Sequence, residues 1–261
     1  MPNGKRELVI APHPDDEALG LGAYLRERRP AAVVFLTDGV PRDNRFFAKM
    51  VAEMTPEAYR AVRRQEAQAA AAHYGLDPAA LFFLDVPDME AFRELAQLER
   101  ALGAIVDAVR PEVIWSPAYE GGHPDHDAAA FLAARQAARS GADHWEYALY
   151  HFHHGMQQLS FLGRDPGIPR PLSLSEMAYK KELLALYASQ SSTLGMFRTN
   201  VERYRRAPAY DFSRRPVAGR TLYETWGWPI TGDMLARAFA DFQNGIAPAA
   251  ALGGARVVPL H

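Results

Sequence analysis

Short apolar segments alternate with helix-like segments over the first half of the chain, and this alternation limits the possible folds more than any other feature. Continuous apolar runs of this length are typical of strands buried in a sheet. Strands are predicted at Glu7–Ala11, Ala32–Leu36, Leu81–Leu84, Val113–Trp115 and Tyr147–Phe152. Helices are predicted at Glu17–Arg29, Pro56–Tyr74, Glu90–Val109 and Asp127–Arg139. This order predicts a Rossmann-like, doubly wound α/β fold, with a mostly parallel sheet and helices on both faces.

The last third of the chain is less regular. A proline-rich connection precedes a helix predicted at Ser175–Ala188, with Ser175 as its N-cap. Aromatic residues, arginines and prolines crowd together after that helix. We therefore predict one domain over residues 1–261, with a Rossmann-like core at 1–155 and an irregular C-terminal extension at 156–261 that closes the site.

The composition narrows the range of partners. The 261 residues carry a net charge of −2, which gives no reason to expect nucleic acid as a partner. No apolar run approaches the roughly 20 residues needed to cross a bilayer, and the N-terminal segment lacks the apolar stretch of a signal peptide. We therefore expect no membrane insertion and a cytoplasmic location, while homo-oligomer formation stays open. The chain has no cysteine, so any bound metal must be held by nitrogen and oxygen ligands.

Two motifs rich in histidine and aspartate each follow a predicted strand. One is His13-Pro14-Asp15-Asp16-Glu17 and the other is His123-Pro124-Asp125-His126. In open α/β sheets, ligands bind beyond the carboxyl ends of the strands, where the strand order reverses. Taken alone, the first motif is typical of a solvated helix N-terminus, and the second is as typical of a loop as of a site. Because both follow buried strands and each holds a pair of ligand types, together they indicate one shared site.

The residue types match a catalytic zinc site with an open position for water. Because Asp16 follows His13 by three residues, both can converge on one ion, and His126 would supply the third bond. One Zn²⁺ per chain is predicted, although iron (Fe²⁺) or manganese also suits nitrogen and oxygen ligands. Asp15 diverges from its neighbour Asp16, and it is predicted to be the general base that takes a proton from the water. His123 is predicted to donate to the oxyanion of a tetrahedral intermediate.

Asp125 completes the set of residues predicted to act on the reaction. It would hold an imidazole in the right tautomer without binding the metal itself.

The two motifs resemble the signature motifs of the PIG-L/LmbE-like deacetylases, a family of zinc-dependent N-deacetylases that act mainly on N-acetylglucosamine attached to a larger group. Weaker support comes from Leu36-Thr37-Asp38-Gly39, Arg63-Arg64-Gln65-Glu66 and Ser189-Gln190. The resemblance covers most of the chain up to Gln190. By position it implies that His13, Asp16 and His126 bind the metal and that Asp15 is the general base. It also implies that His123 stabilises the oxyanion and is a candidate general acid, with Asp125 behind it.

The same resemblance implies that Arg63 contacts the sugar or its substituent. The alternative for Arg63 is a salt bridge to Glu66 or a solvated helix face, and Arg64 takes the place if the register differs by one residue.

A third histidine-rich stretch, His151-Phe152-His153-His154, stands outside the two motifs. On a strand, His151 and His153 would share a face, which leaves a second metal site open. The favoured interpretation is that these histidines line the crevice or pack at its edge.

Aromatic residues of the C-terminal extension could stack on a sugar ring. The candidates are Tyr223, Trp226 and Trp228, and packing onto the core is favoured for at least two of the three. The arginines of this region could bind a substrate phosphate, but a solvated, acid-paired surface is the favoured interpretation. They are Arg203, Arg205, Arg206, Arg214, Arg215 and Arg220.

The sequence thus predicts a zinc hydrolase that removes the acetyl group of an N-acetylated amino sugar conjugate. One alternative is an amidase of the same scaffold that acts on a non-sugar or thiol–sugar N-acyl conjugate. Another is a metal-binding protein without catalysis, against which Asp15 and His123 argue, because a binding site needs neither a free base nor an oxyanion donor.

Overall fold

The computed structural model describes residue 2 and residues 4–47 and 51–246. The predicted C-terminal extension runs on to residue 261, and its residues 247–261 lie outside these ranges.

A seven-stranded sheet forms the centre of the molecule, with the order β3-β2-β1-β4-β5-β9-β8. Its first five members are parallel, whereas β9 and β8 are antiparallel and extend one edge. The strands of this sheet are β1 Glu7–Ala11, β2 Ala32–Pro41, β3 Leu81–Asp88, β4 Val113–Pro117, β5 Asp143–Tyr147, β8 Ile168–Pro171 and β9 Val201–Arg206. A separate hairpin consists of β6 Tyr150–Phe152 and β7 Met156–Gln158.

Helices connect the strands and cover both faces of the sheet. They are α1 Asp16–Arg28, α2 Pro56–Tyr74, α3 Leu95–Val109, α4 Pro124–Ser140, α5 Leu174–Ala185, α6 Ser191–Leu194, α7 Leu222–Thr225 and α8 Gly232–Gln243. Local sequence explains their limits. Thr55 accepts the N–H of Ala58 at the start of α2, and Gly75 ends that helix in the left-handed conformation, with φ at 80°.

Alternate residues of each central strand pack on opposite faces. On β1, Leu8 and Ile10 join the cluster that α3, α4 and α8 cover, whereas Val9 and Ala11 join the cluster that α1, α2 and α5 cover. This two-sided burial is what a parallel sheet requires, because its crossover helices lie on both faces. The predicted doubly wound α/β fold with an additional C-terminal part is confirmed.

The strand order reverses between β1 and β4. These strands are parallel neighbours, with Glu7 opposite Val113 and Val9 opposite Trp115. The chain leaves β1 toward β2 on one side, and it leaves β4 toward β5 on the other. The two motifs therefore emerge side by side at the carboxyl edge of the sheet, as the sequence predicts.

Several predicted boundaries are wrong. No single strand spans 147–152: β5 ends at Tyr147 and β6 begins a different sheet at Tyr150. The proline-rich connection contains the strand β8. This strand tolerates prolines because it lies at the edge of the sheet, where a missing N–H donor need not break the ladder of hydrogen bonds. The N-cap of α5 is Ser173, not Ser175, because Ser173 and Glu176 form a capping box.

Within the described residues, no helix has the length and apolar character needed to span a bilayer.

Candidate metal centre

The first motif forms the tight connection between β1 and α1. The carbonyl of Pro12 accepts both the N–H and the Oγ1 hydroxyl of Thr37, at 3.0 and 2.9 Å, so this connection is tied to β2. The next helix begins at Asp16, three residues after His13. Both side chains therefore lie directly above the end of β1.

The second motif begins α4, one turn earlier than predicted. His123 is the N-cap residue, and its Nδ1 accepts the N–H of Asp125 at 3.2 Å. Pro124 is the first helical residue, where its missing N–H costs nothing. His126 consequently lies in the first turn of a helix instead of in a loop, which holds its ring more firmly.

The predicted ligands meet at one point. Asp16 Oδ2 lies 2.9 Å from His13 Nδ1 and 3.3 Å from His126 Nε2. The ring centroids of the two histidines are 5.5 Å apart. Two atoms bound to one tetrahedral zinc lie about 3.3 Å from each other, given its bond lengths. The two distances from Asp16 therefore match the spacing of ligand atoms on a single ion.

Two observations favour a metal at this position. His126 Nε2 is buried, and its 3.3 Å contact with Asp16 Oδ2 is not a well-aligned hydrogen bond, so this polar atom lacks the partner that a buried polar atom usually has. His13 Nε2 already has carboxylate oxygens of Asp88 and Asp125 at 3.0 and 3.1 Å. That contact leaves Nδ1 of His13 for a metal, in the carboxylate–histidine arrangement common at metal sites.

His123 lies close enough to join the ligand group. The ligand atoms of His13, His123 and His126 are all within 4.8 Å of one another. A second overlapping group contains His13, Asp88, His123 and Asp125. Every candidate metal-ligand group found in residues 4–47 and 51–246 contains His13, so the third histidine-rich stretch forms no second one. His151 is buried with Nε2 at 3.2 Å from Ser160 Oγ, whereas His153 and His154 are exposed.

Asp88 is a site residue that sequence reasoning missed. It ends β3, and its Oδ1 lies 3.0 Å from His13 Nε2 and 3.5 Å from His123 Nε2. The sequence signal for Asp88 is weak, because it is one of several acidic residues after the predicted strand Leu81–Leu84 and belongs to neither motif. Because β3 continues to Asp88, this carboxylate reaches the same edge of the sheet as the motifs.

Asp125 is fully buried and binds three partners. Its oxygens accept the N–H groups of Met89 and Ala91, at 2.6 and 3.0 Å, and contact His13 Nε2. The distance to His123 Nδ1 is 3.9 Å, so the imidazole within hydrogen-bond reach is that of His13. Asp125 therefore connects α4, the first motif and the segment after β3.

Asp15 has an unusual backbone conformation with φ at 125° and ψ at −26°. A non-glycine residue adopts such angles only when its surroundings enforce them, and such strain is typical of functional sites. Glu17, which is fully buried, accepts the N–H of Asp15 at 3.1 Å and the hydroxyl of Tyr187. The side chain of Asp15 accepts a hydrogen bond from Arg63 Nη1 at 3.1 Å.

The charges around the site differ from residue to residue. Burial raises the pKa of Asp15 to about 6, and the positive charge of Arg63 opposes that rise. Burial and the neighbouring charge of His13 lower the pKa of His123 well below its usual value. His123 is therefore neutral, and because its Nδ1 accepts the Asp125 N–H, its proton lies on Nε2. Burial lowers the pKa of His13, but the carboxylates of Asp88 and Asp16 raise it by more.

Arg63 lines the cavity beside Asp15 and makes no salt bridge to Glu66. Glu66 instead accepts the N–H and the hydroxyl of Ser189, at 2.7 and 2.6 Å, which joins α2 to the segment before α6. Arg64 points elsewhere, to Asp85 at 2.7 Å. The position of Arg63 therefore favours the original register over the one shifted by a residue.

The site opens into a cavity of about 350 Å³. Trp226 and Trp228 line it, whereas Tyr223 is buried and donates to Asp127 at 3.2 Å. Tyr223 belongs to the core and Trp228 packs against it, so the prediction that at least two of the three pack onto the core is confirmed, and Trp228 lines the cavity as well. Arg205 departs from the predicted arginine surface: it is buried between Glu120 and Glu146.

Comparison with known proteins agrees with this geometry. Residues 8–138 match the family model described as PIG-L, GlcNAc-PI de-N-acetylase. No curated protein matches the chain. Among solved structures, the deacetylase of the A40926 pseudoaglycone is 19% identical, with a TM-score of 0.59 over 80% of this chain and 100% of that one. The N,N'-diacetylchitobiose deacetylase of Pyrococcus horikoshii is 19% identical, with a TM-score of 0.53 over 78% and 85%.

A zinc-inhibited form of teicoplanin deacetylase is also similar, at 16% identity and a TM-score of 0.54 over 78% of this chain and 100% of that one. At these identities the solved structures establish the shared fold, and the family model covers half of the sequence, including both motifs. The chain belongs to the PIG-L family, which is named for the GlcNAc-PI de-N-acetylase.

Proposed function

We propose that this chain is a zinc-dependent hydrolase that removes the acetyl group from an N-acetylglucosamine-type amino sugar conjugate. The proposal depends on one observation: candidate metal ligands lie in the same cavity as a candidate base, Asp15, and a candidate hydrogen-bond donor, His123. The family to which the chain belongs supports the reaction type. Deacetylases among the similar structures are consistent with it, although their substrates differ.

We assign the metal to His13, Asp16 and His126, whose ligand atoms lie together at the edge of β1. The surrounding carboxylates of Asp15 and Asp88 give the site the negative charge that a divalent cation needs. When bound there, zinc lowers the pKa of a water molecule and polarises the amide carbonyl.

The other residues of the site supply proton transfer and hydrogen bonding. Asp15 takes the proton of the attacking water, and the oxygen of that water adds to the acetyl carbonyl carbon. His123 donates its Nε2 proton in a hydrogen bond to the oxyanion, a contact of the kind worth about 3 kcal/mol in the transition state. The C–N bond then breaks to give acetate. Because His123 is neutral, we assign the return of the proton to the leaving amine to Asp15.

Arg63 and the C-terminal extension complete the proposal. Arg63 lies at the cavity wall beside Asp15, where a sugar hydroxyl could reach its guanidinium. Residues 1–155 and 156–261 would act as one domain, since residues from both parts line the cavity. Phe131 of α4 and Phe239 of α8 stack at 4.4 Å, which is consistent with one shared core.

Substitution of the base tests the proposal. Asp15→Asn should retain bound zinc but lower kcat by about 10²- to 10⁴-fold, the usual contribution of a general base. Amine release from N-acetylglucosamine conjugates and metal content would be measured on the same samples, with zinc titrated across one equivalent. Asp85→Asn, which alters a half-exposed aspartate paired with Arg64, is the matched control and should keep full activity. Unchanged turnover in Asp15→Asn would remove Asp15 from this role, and zinc binding without any amine release would favour a protein that only binds metal.

A further inference from the structure

The outer half of the cavity is lined by large apolar side chains that are partly open to solvent. Phe46 is 39% exposed, Met156 36%, Met196 61% and Trp226 45%. We call the set the apolar mouth; its members are Phe46, Met156, Met196, Phe197, Trp226 and Trp228, all of which line the same cavity as His13 and Asp15. Large apolar side chains gathered and exposed at one place are unusual on a soluble protein and mark binding surfaces.

Aromatic contacts connect the apolar mouth to the reaction site along two walls. On one wall, Tyr150 lies 5.0 Å from the His126 ring and 5.2 Å from that of Phe197, between ring centroids. On the other, Trp228 lies 5.1 Å from both His123 and Trp226. A molecule whose acetamido group reaches His123 would therefore extend outward between aromatic and thioether side chains.

The charge of the cavity excludes one class of extension. Among the described residues that line it, Arg63 is the only lysine or arginine, and its guanidinium binds Asp15. The uncharged polar side chains that line the cavity are few, among them Gln190 and Thr193. A phosphate in the outer cavity would lose its hydration without meeting a cation, which is unfavourable.

We propose that the apolar mouth binds an uncharged apolar aglycone, aryl or alkyl, that is attached to the amino sugar. This inference rests on the proposed function, because it places the sugar between the aglycone and the metal centre. Trp226 and Trp228 would contact the aglycone through their ring faces. Met156 and Met196 would adjust to its shape, since the unbranched methionine side chain fills irregular spaces.

Four substrates test the proposal on the metal-loaded protein. They are the methyl, phenyl and octyl glycosides of N-acetylglucosamine, and N-acetylglucosamine 1-phosphate. At least one of the phenyl and octyl glycosides should have a kcat/KM about tenfold higher than that of the methyl glycoside, which corresponds to about 1.4 kcal/mol. The 1-phosphate should have a lower kcat/KM than the methyl glycoside. A preference for phenyl over octyl identifies an aryl aglycone, and the reverse identifies an alkyl one.

Variants of the mouth show where any preference arises. Trp226→Ala and, separately, Met196→Ala should reduce the ratio of phenyl or octyl to methyl turnover at least threefold. Met196 is well exposed, so its variant folds even if the tryptophan variant does not. Leu174→Ala is the matched control, because Leu174 is exposed but does not line the cavity, and it should leave the ratio unchanged. Equal kcat/KM for methyl, phenyl and octyl glycosides, or an unchanged ratio in both mouth variants, would overturn the proposal.

A binding measurement separates failure of this proposal from failure of the proposed function. Methyl, phenyl and octyl glucosaminides, which resemble the deacetylated product, would be titrated while the intrinsic tryptophan fluorescence is followed. If no N-acetyl substrate is hydrolysed, the proposed function is wrong. Even then, the apolar subsite would be supported if the phenyl or octyl compound binds more tightly than the methyl compound and if Met196→Ala weakens that binding. Equal affinity for all three compounds would overturn it.

Discussion

At the scale of single residues, Asp15 is held by contacts on both its backbone and its side chain. Its φ of 125° persists because Glu17 accepts its N–H, while Arg63 binds its carboxylate. A general base must stay ionised at the working pH to accept a proton. Burial raises the pKa of Asp15 to about 6, and Arg63 keeps it from rising further. In the proposed reaction the arginine would therefore affect the pH range of activity whether or not it also contacts the substrate.

Replacement of Arg63 tests this effect. In Arg63→Gln the carboxylate loses its nearby cation, so the pKa of Asp15 should rise, and the acidic limb of kcat/KM should move to higher pH by about 1 pH unit. The pH profile of amine release, measured from pH 5 to 9, gives this limb. The neighbouring Arg64 is the control: it binds Asp85 on the surface, and Arg64→Gln should leave the limb in place. A fixed limb in Arg63→Gln would show that Arg63 does not influence the base.

At the scale of elements, β5 and β9 are joined by a buried cluster with one cation and two carboxylates. Arg205 of β9 lies 2.7 Å from Glu146 of β5 and 3.2 Å from Glu120. Burial raises the pKa of Glu120 to about 8 and that of Glu146 to about 7, because one guanidinium does not offset the desolvation of both carboxylates. At neutral pH the cluster therefore keeps at least one proton that the unfolded chain would release.

This proton makes the stability of the fold depend on pH. Because the folded-state pKa values of Glu120 and Glu146 exceed those of the unfolded chain, these two groups bind more protons in the folded state between pH 4.5 and 8, and their contribution to the free energy of unfolding falls as the pH rises through this range. Urea denaturation at several pH values measures the slope of the free energy of unfolding against pH. Glu120→Gln keeps a hydrogen-bonding side chain without the titrating group, so its slope should be less negative than that of the unchanged protein. Glu57→Gln, on the exposed start of α2, should keep the original slope; a slope that is equal in all three proteins would contradict the assignment.

The elements also show what local sequence predicts and what it does not. Apolar runs in the sequence predict the position of every parallel strand except β5. Capping residues predict helix ends: Thr55 marks where α2 begins and Gly75 where it ends. Asp143–Tyr147 was missed because its charged and aromatic residues give no apolar run, and it becomes a strand by pairing with β4. Antiparallel β9 likewise depends on contacts with distant elements.

For the site, the residues of the two motifs lie close together as predicted, and their role as metal ligands stays a prediction. The convergence of His13 and His126 follows from β1 and β4 being neighbours at the strand reversal, which the alternating pattern indicates. Asp88 was not predicted, because its approach to His13 depends on how far β3 continues beyond its apolar part. Trp228 both packs against the core and lines the cavity, and no local pattern distinguishes such an aromatic residue from one that lies only in the core.

At the scale of the whole molecule, the proposed ligands connect segments that are more than a hundred residues apart. His13 comes from the connection between β1 and α1, Asp16 from the start of α1, and His126 from the start of α4. An ion bound by all three would stabilise the folded state alone, because the unfolded chain does not bring them together. Metal binding is therefore expected to appear as a gain in global stability.

Thermal denaturation with and without zinc measures that gain. Zinc at 100 times its Kd should stabilise the protein by about 2.7 kcal/mol and raise the Tm, and a chelator should reverse the change. His126→Ala should lose most of the gain because it removes one ligand. His153→Ala, which changes an exposed histidine, should keep it. An equal rise of Tm in His126→Ala would mean that the ion binds elsewhere.

The apolar mouth and the proposed reaction centre belong to different segments of the chain. The centre is built on the ends of β1, β3 and β4, which the sheet holds rigidly, whereas the mouth comes from the β6–β7 hairpin and from turns that follow β2, α6 and α7. Under the proposed function such a division is modular: mutations in the peripheral turns would change which conjugates are accepted while the proposed metal centre stays intact. Exchange of those turns with relatives offers a direct route to deacetylases of altered selectivity.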